Sequence, residues 1–213
     1  FVDDRAGLVF RRLAIIDLSP AGRQPMTSES GRLQLVFNGE IYDFQKQREE
    51  LEKRGHLFES KTDTEVILHR YEEVGERVVD DLRGMFAFAL WDPEKSRLLL
   101  ARDRLGKKPL YYHVDGQRLT FASELAALLT DPTIPRGVDR HALDVYLTYQ
   151  YLPGDRSMIP GVKKLPPAHT AVFSAKGLKL ERYWNLSYEP KQIPTSEEAL
   201  AEEVLARLDE AVR

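Results

Sequence analysis

The apolar positions of the chain are densest from residue 84 onward. There four runs, GMFAFALWD, RLLLARD, PLYYHV and RLTFAS, are apolar on most residues and separated by polar or Gly/Pro-containing turns. Short apolar runs bounded by turn residues predict strands, and their close succession predicts an antiparallel meander. Because several of these runs are apolar on both faces, both faces of the sheet must be covered, by helices or by a second sheet. Residues 12–18, RLAIIDL, end at Ser19, Pro20 and Gly22 and predict another buried strand. Residues 33–44, LQLVFNGEIYDF, place Asn38-Gly39 between two strand-like halves. The simplest reading is a type I′ hairpin, whose two central residues need the positive φ that Asn-Gly tolerates.

Helical periodicity appears on either side of the strand-rich stretch. Residues 43–54 turn to Gln, Lys, Arg and Glu around Phe44 and Leu51, an exposed helix closed by Gly55. Thr62 and Glu65 have capping-box spacing ahead of Val66, Ile67, Tyr71 and Val74, with Gly75 as the stop. Residues 139–151 read as a helix, and HTAVFSA with LKLERYW as a hairpin across Lys176-Gly177. Helices flanking a run of strands predict a layered α+β fold rather than a doubly wound parallel sheet. Residues 188–194 hold two prolines in a polar stretch and read as a linker. After it, Thr195 and Glu198 form a capping box, and Leu200, Val204, Leu208 and Val212 recur every four residues to the end of the chain. Such a stripe needs a partner, so the chain is expected to stop inside a second domain. No internal repeats or low-complexity tracts are present.

Composition narrows the chemistry. The 213 residues are 42% hydrophobic and 31% charged with a net charge of −3, which gives no electrostatic reason to expect nucleic acid or a membrane surface as partner. No apolar run approaches the roughly 18 residues of a membrane span, and the N-terminus lacks a basic region followed by an apolar one, so the cytoplasm is the default compartment. There is no cysteine, hence no disulfide, thiolate metal site or cysteine nucleophile. His56, His69, His113, His141 and His169 are scattered without a spacing that pairs two of them as ligands, so no metal is expected in this segment.

Six separated segments carry a family resemblance. They are Arg12-Leu13-Ala14-Ile15-Ile16-Asp17, Gln24-Pro25-Met26, Asn38-Gly39-Glu40-Ile41-Tyr42, Asp63-Thr64-Glu65, the GMFAFA run from Gly84, and Arg102-Asp103-Arg104-Leu105-Gly106 continuing to Pro109-Leu110-Tyr111. In this order they resemble the motifs of class II glutamine amidotransferases, and specifically of glutamine-hydrolysing asparagine synthetases. Phe121-Ala122-Ser123-Glu124, Lys164-Leu165-Pro166-Pro167 and Tyr183-Trp184 extend the match to nearly the whole chain. The resemblance implies an N-terminal-nucleophile hydrolase fold, a four-layer αββα sandwich of two antiparallel sheets. It also implies hydrolysis of glutamine by an N-terminal cysteine through a thioester. Ammonia then passes through a tunnel to a synthetase domain that uses ATP and Mg²⁺ to amidate aspartate via β-aspartyl-AMP. A homodimer is compatible with it.

By the same resemblance, Arg12 holds the α-carboxylate of glutamine, a task suited to a planar guanidinium fork. Its bland reading is a charge at a strand end. Leu13, Ile15 and Ile16 join it, the isoleucines through main-chain contacts, although as side chains they are more simply core. Asn38 and Gly39 would form the oxyanion hole, a reading compatible with a turn. Glu40 and Asp63 would take the α-ammonium, against the alternative that Asp63 merely favours a helix N-terminus. Arg102 and Asp103 read as structural, pairing near the turn at Gly106 and Pro109. Three features depart from the family pattern. Phe10 and Arg23 stand where histidine is usual, the Cys-Gly-Ile opening and the His-Arg-Gly-Pro segment are missing, and so is the Ser-Gly-Gly-x-Asp-Ser pyrophosphate loop. The expectation is a glutaminase domain at 1–187 lacking its N-terminal segment, a linker at 188–194 and the first synthetase helix at 195–213. The segment itself would need no cofactor and would hydrolyse no glutamine. Two alternatives stay open: a nucleophile-less binding module, and an amidotransferase acting on another carboxylate.

Overall fold

The computed structural model describes residues 1–11, 17–191 and 196–212. Strands β1 (Met26–Thr27) and β2 (Gln34–Ile41) are followed by helices α1 (Phe44–Lys53) and α2 (Thr64–Val74). Strands β3 (Gly84–Asp92), β4 (Arg97–Arg102), β5 (Tyr111–Asp115) and β6 (Arg118–Ala122) come next, then helices α3 (Leu125–Leu128) and α4 (Arg140–Tyr149). Strands β7 (Val162–Lys164), β8 (His169–Ser174) and β9 (Gly177–Arg182) precede helix α5 (Glu197–Val212). All strand pairings are antiparallel, in a six-stranded sheet of order β1-β2-β3-β4-β8-β9 and a three-stranded sheet of order β6-β5-β7.

Strand β3 explains the layering. Its Phe86, Phe88 and Leu90 bury against Ile67, Leu68 and Tyr71 of α2, together with Val78, Val79 and Leu82 from the segment after it. The alternate residues Ala87, Ala89 and Trp91 face Leu110, Tyr112 and Leu165 of the second sheet. Side chains on a strand alternate between faces, so a strand apolar on every residue belongs between two layers. A third cluster, Leu128, Ile134 and Val162 with Tyr111 and Leu125, covers the outer face of the small sheet. The stack is therefore helix, sheet, sheet, helix, the α+β sandwich expected.

Several local expectations are corrected. Asn38-Gly39 is not a hairpin turn: both residues lie inside the unbroken strand β2, where Gly39 pairs with Phe86. A Cβ on Gly39 would fall 2.1 Å from the Met85 carbonyl oxygen, so the glycine serves close approach of two strands rather than a reversal. The chain turns instead at Asp43, which takes a left-handed conformation (φ 54°) directly ahead of α1. The four runs after residue 84 do not form one meander, because the chain leaves the large sheet after β4 and enters the small one at β5. The capping box at Thr62 is replaced by a different bond set: the Glu65 carboxylate accepts from the Glu59 and Ser60 N–H groups and the Ser60 hydroxyl. Helix α4 is capped by the Asp139 carboxylate, and the β8–β9 hairpin turns between Ser174 and Gly177 as expected. At α5 the cap is the Ser196 hydroxyl, accepting from Ala199 N–H, while Thr195 lies outside the described residues. The strand expected at 12–18 falls almost wholly outside them as well.

Candidate active site

The site is built on one free strand edge. Strand β1 pairs with β2 only at Gln34 and Leu35, so from Phe37 onward the outer edge of β2 has no neighbouring strand among the described residues. Backbone N–H groups of alternate residues point to that edge. The Phe37 N–H donates to Gln24 Oε1 at 2.6 Å, and the Ile41 N–H donates to Asp63 Oδ2 at 2.8 Å. Gly39 sits between them, its N–H directed to the same edge. The even-numbered side chains Val36, Asn38 and Glu40 point to the opposite side from the helix-facing Phe37 and Ile41. Asn38 thereby reaches a cavity of about 990 Å³ between the sheets, lined also by Val36, Ala87, Trp91, Leu110 and Phe121. The Asn38 amide thus faces a largely apolar cavity, next in the chain to the Gly39 N–H.

The acidic end of the site lies one to three residues further along. Asp63 is buried at the head of α2, and its carboxylate is turned back to accept from the Ile41 N–H at the end of β2. Burial holds its pKa above the ordinary carboxylate value. The Ile41 N–H opposes that shift, and the nearby charge of Glu40 adds to it. Glu40 is exposed. Two carboxylates whose charges repel across a strand end, one of them desolvated, form a place where a cation is stabilised.

The structure thus brings together Asn38, Gly39, Glu40 and Asp63, while Arg12, Leu13, Ile15 and Ile16 fall outside the described residues. Asp17, next in the chain after them, accepts from the Lys61 N–H at 2.9 Å, two residues before Asp63. Sequence reasoning also missed the contact of Gln24, which accepts the Phe37 N–H at the edge of β2 just before Asn38; only its place in a recognisable motif hinted at it. Arg102 and Asp103 are structural but do not pair with each other. The Arg102 guanidinium donates to the carbonyls of Lys108, Leu165 and Gly106. The buried Asp103 carboxylate accepts from the N–H groups of Phe86, Leu105, Lys107 and Lys108, locking the turn after β4 to β3.

Comparison with known proteins gives this geometry a family. Residues 1–184 match the family described as the glutamine amidotransferase domain. The chain is 44% identical over 183 residues to a glutamine-hydrolysing asparagine synthetase of Bacillus subtilis, covering 84% of this chain and 30% of that protein. It is 35% identical over 210 residues to the amidase chry2 of Gibberella zeae, covering 97% of this chain and 31% of that protein. The chain therefore spans about a third of the length of these relatives. Among solved structures, the glutamine phosphoribosylpyrophosphate amidotransferase of B. subtilis superposes with a TM-score of 0.55 at 20% identity, over 79% of this chain and 33% of that one, and shares the fold. With its two stacked antiparallel sheets and a match running from residue 1 to 184, the chain belongs to the glutamine amidotransferase domain family.

Proposed function

We propose that this domain binds glutamine and supports hydrolysis of its side-chain amide, as the glutaminase part of an enzyme that makes asparagine. The observation that carries the reading is the pair of donors at the free edge of β2, Asn38 and Gly39, set beside the Glu40–Asp63 carboxylates. When a nucleophile adds to the glutamine amide carbon, the amide oxygen gains negative charge. A side-chain NH₂ and an adjacent backbone N–H that converge on it would stabilise that charge without reorganisation, an effect of about 3 to 4 kcal/mol per donor in comparable sites. Glu40 and Asp63 take the α-ammonium, and Arg12 takes the α-carboxylate. The chain contains no cysteine, so its own residues supply binding and oxyanion stabilisation rather than the thiol on which the family's chemistry depends.

The ammonia released would pass to a synthetase domain, where ATP and Mg²⁺ activate aspartate as β-aspartyl-AMP. We assign that chemistry to sequence beyond residue 195, with residues 1–187 as the glutaminase domain and 188–194 as the connection. Helix α5 supports the assignment: Leu200, Val204, Leu205, Leu208 and Val212 are all exposed, an apolar stripe without a partner among the described residues. A second reading keeps the glutaminase and changes the acceptor to another carboxylate. What supports it is the similarity, over 97% of this chain, to a protein named as an amidase rather than as an asparagine synthetase.

Titrating this chain with glutamine in a calorimeter tests the pocket. Binding by the wild type that disappears in Asp63→Ala but survives in Asn38→Ala is expected; no binding at all, or equal loss in both variants, sinks the reading. In the full-length gene product, Asn38→Ala should lower glutaminase kcat about a hundredfold while synthesis from added ammonia continues. Product analysis with aspartate as the sole acceptor separates the two acceptor readings. As it stands, this polypeptide is expected to release no ammonia from glutamine.

A further inference from the structure

On the helix side of the large sheet, three segments converge on two imidazoles. His69 lies on α2 and is 1% exposed; His56 lies in the loop between α1 and α2. Their Nδ1 atoms are 3.0 Å apart. Glu72 Oε2 lies 3.4 Å from His69 Nδ1 and 3.8 Å from His56 Nδ1. A carboxylate oxygen of Glu29, from the turn after β1, joins the two imidazoles with all ligating atoms within 4.8 Å of one another. The sequence separates the two histidines by thirteen residues and hides the pairing, because a loop, not a helix or strand repeat, brings them together.

The outer face of each ring is also built. His69 Nε2 is buried without a hydrogen bond, 3.8 Å from Glu65 Oε1. His56 Nε2 faces Glu73 Oε1 at 3.5 Å. Each Nε2 has a carboxylate oxygen within 4 Å on its outer side, while the two Nδ1 atoms face each other and Glu72. Two imidazole nitrogens this close need a proton or a cation between them. Glu72 is held in place by the Ser30 hydroxyl, which donates to its other oxygen at 3.1 Å. Around the pair stand four carboxylates, Glu29, Glu65, Glu72 and Glu73, against two guanidiniums, Arg54 and Arg70, both near Glu73. Arg32 also acts on Glu72, and the four carboxylates outnumber the three guanidiniums.

We propose that His56, His69, Glu72 and Glu29 form a site for a divalent transition cation of the zinc type, with Glu65 and Glu73 orienting the imidazoles from outside. Tetrahedral zinc with bonds of about 2.0 to 2.2 Å has ligand-to-ligand edges of about 3.4 Å. Among His56, His69 and Glu72 the edges of 3.0, 3.4 and 3.8 Å bracket that value, and the Glu29 oxygen stands within 4.8 Å of both imidazoles. Two nitrogens and two carboxylate oxygens suit zinc or cobalt(II) better than calcium or magnesium, which prefer six or more oxygens. The site would be structural, since it ties the turn after β1 and the α1–α2 loop to the helix whose head carries Asp63. It lies apart from the Asn38 cavity and does not depend on the glutamine reading.

The test is titration of the metal-free chain with cobalt(II), followed by competition with zinc. One equivalent bound with the visible bands of a tetrahedral centre, displaced by zinc, is the expected result. His56→Gln, on the loop and half-buried, should weaken binding at least tenfold and abolish the zinc-dependent rise in Tm, and Glu29→Gln should weaken it less. His69→Gln is not needed, so a folding failure at that buried position leaves the test intact. Absence of tetrahedral bands and of any zinc effect on Tm in the wild type overturns the proposal and leaves a proton shared between the two imidazoles. Unchanged affinity in His56→Gln overturns it equally.

Discussion

Gly39 and Asp63 each do something that no other residue type would do as well. At Gly39 any Cβ meets backbone, 2.1 Å from the Met85 oxygen and 2.7 Å from the Phe86 Cα, so β2 and β3 would have to part. Gly39→Ala is expected to cost about 3 kcal/mol in urea denaturation, at the upper end for an overpacked site because backbone cannot rotate away. Asp63 carries its charge at a cost to the fold. Its folded pKa is raised, chiefly by burial, so its contribution to stability is full below the unfolded value near about 3.9 and fades as pH rises through the folded pKa. Asp63→Asn keeps an oxygen for the Ile41 N–H and removes the penalty. Its urea midpoint at neutral pH should equal or exceed that of the wild type, while its affinity for glutamine falls at least tenfold. A variant both less stable and unimpaired in binding would contradict that account.

Elements here are held by polar side chains that satisfy backbone groups where pairing stops. Asp103 is the strongest case, with four N–H groups accepted by one buried carboxylate between β4, β5 and β3. Replacing it by alanine strands those donors, and a loss of at least about 3 kcal/mol is expected in the same denaturation assay. At the other end of β3, Asp92 accepts from the Tyr71 hydroxyl of α2 at 3.1 Å and pairs with Lys95. Burial pushes the Asp92 pKa up, but the Lys95 N–H, the Lys95 ammonium and Tyr71 outweigh it and hold the pKa below the ordinary value. That stabilisation is present above the unfolded pKa of about 3.9 and is lost as pH falls through the folded one. Stability measured from pH 5 downward should therefore fall less steeply in Tyr71→Phe than in the wild type. These side chains read in the sequence only as charges near turns, because a carboxylate that binds backbone N–H groups leaves no periodic mark.

Across the whole molecule, protection should follow the layers. Hydrogen exchange is expected to be slowest in β3, which is covered on both faces, and fastest in residues 188–191 and in α5, whose residues are not buried. Comparable protection in α5 and β3 would mean that the helix has found a partner. The sequence by itself determined the layered class and most of the longer strands and helices, since burial on one or both faces leaves a periodic record in which residues are apolar; the short β1, α3 and β7 left none. It also nominated the candidate glutamine-binding residues, through motifs whose order along the chain is itself the signal. Only the tertiary structure decided that Asn38-Gly39 lies inside one unbroken strand rather than in a hairpin turn, that the strand run divides between two sheets, and that His56 meets His69. Each of these depends on contacts between segments far apart in the chain, where local propensity is silent and the packing of layers chooses the neighbour.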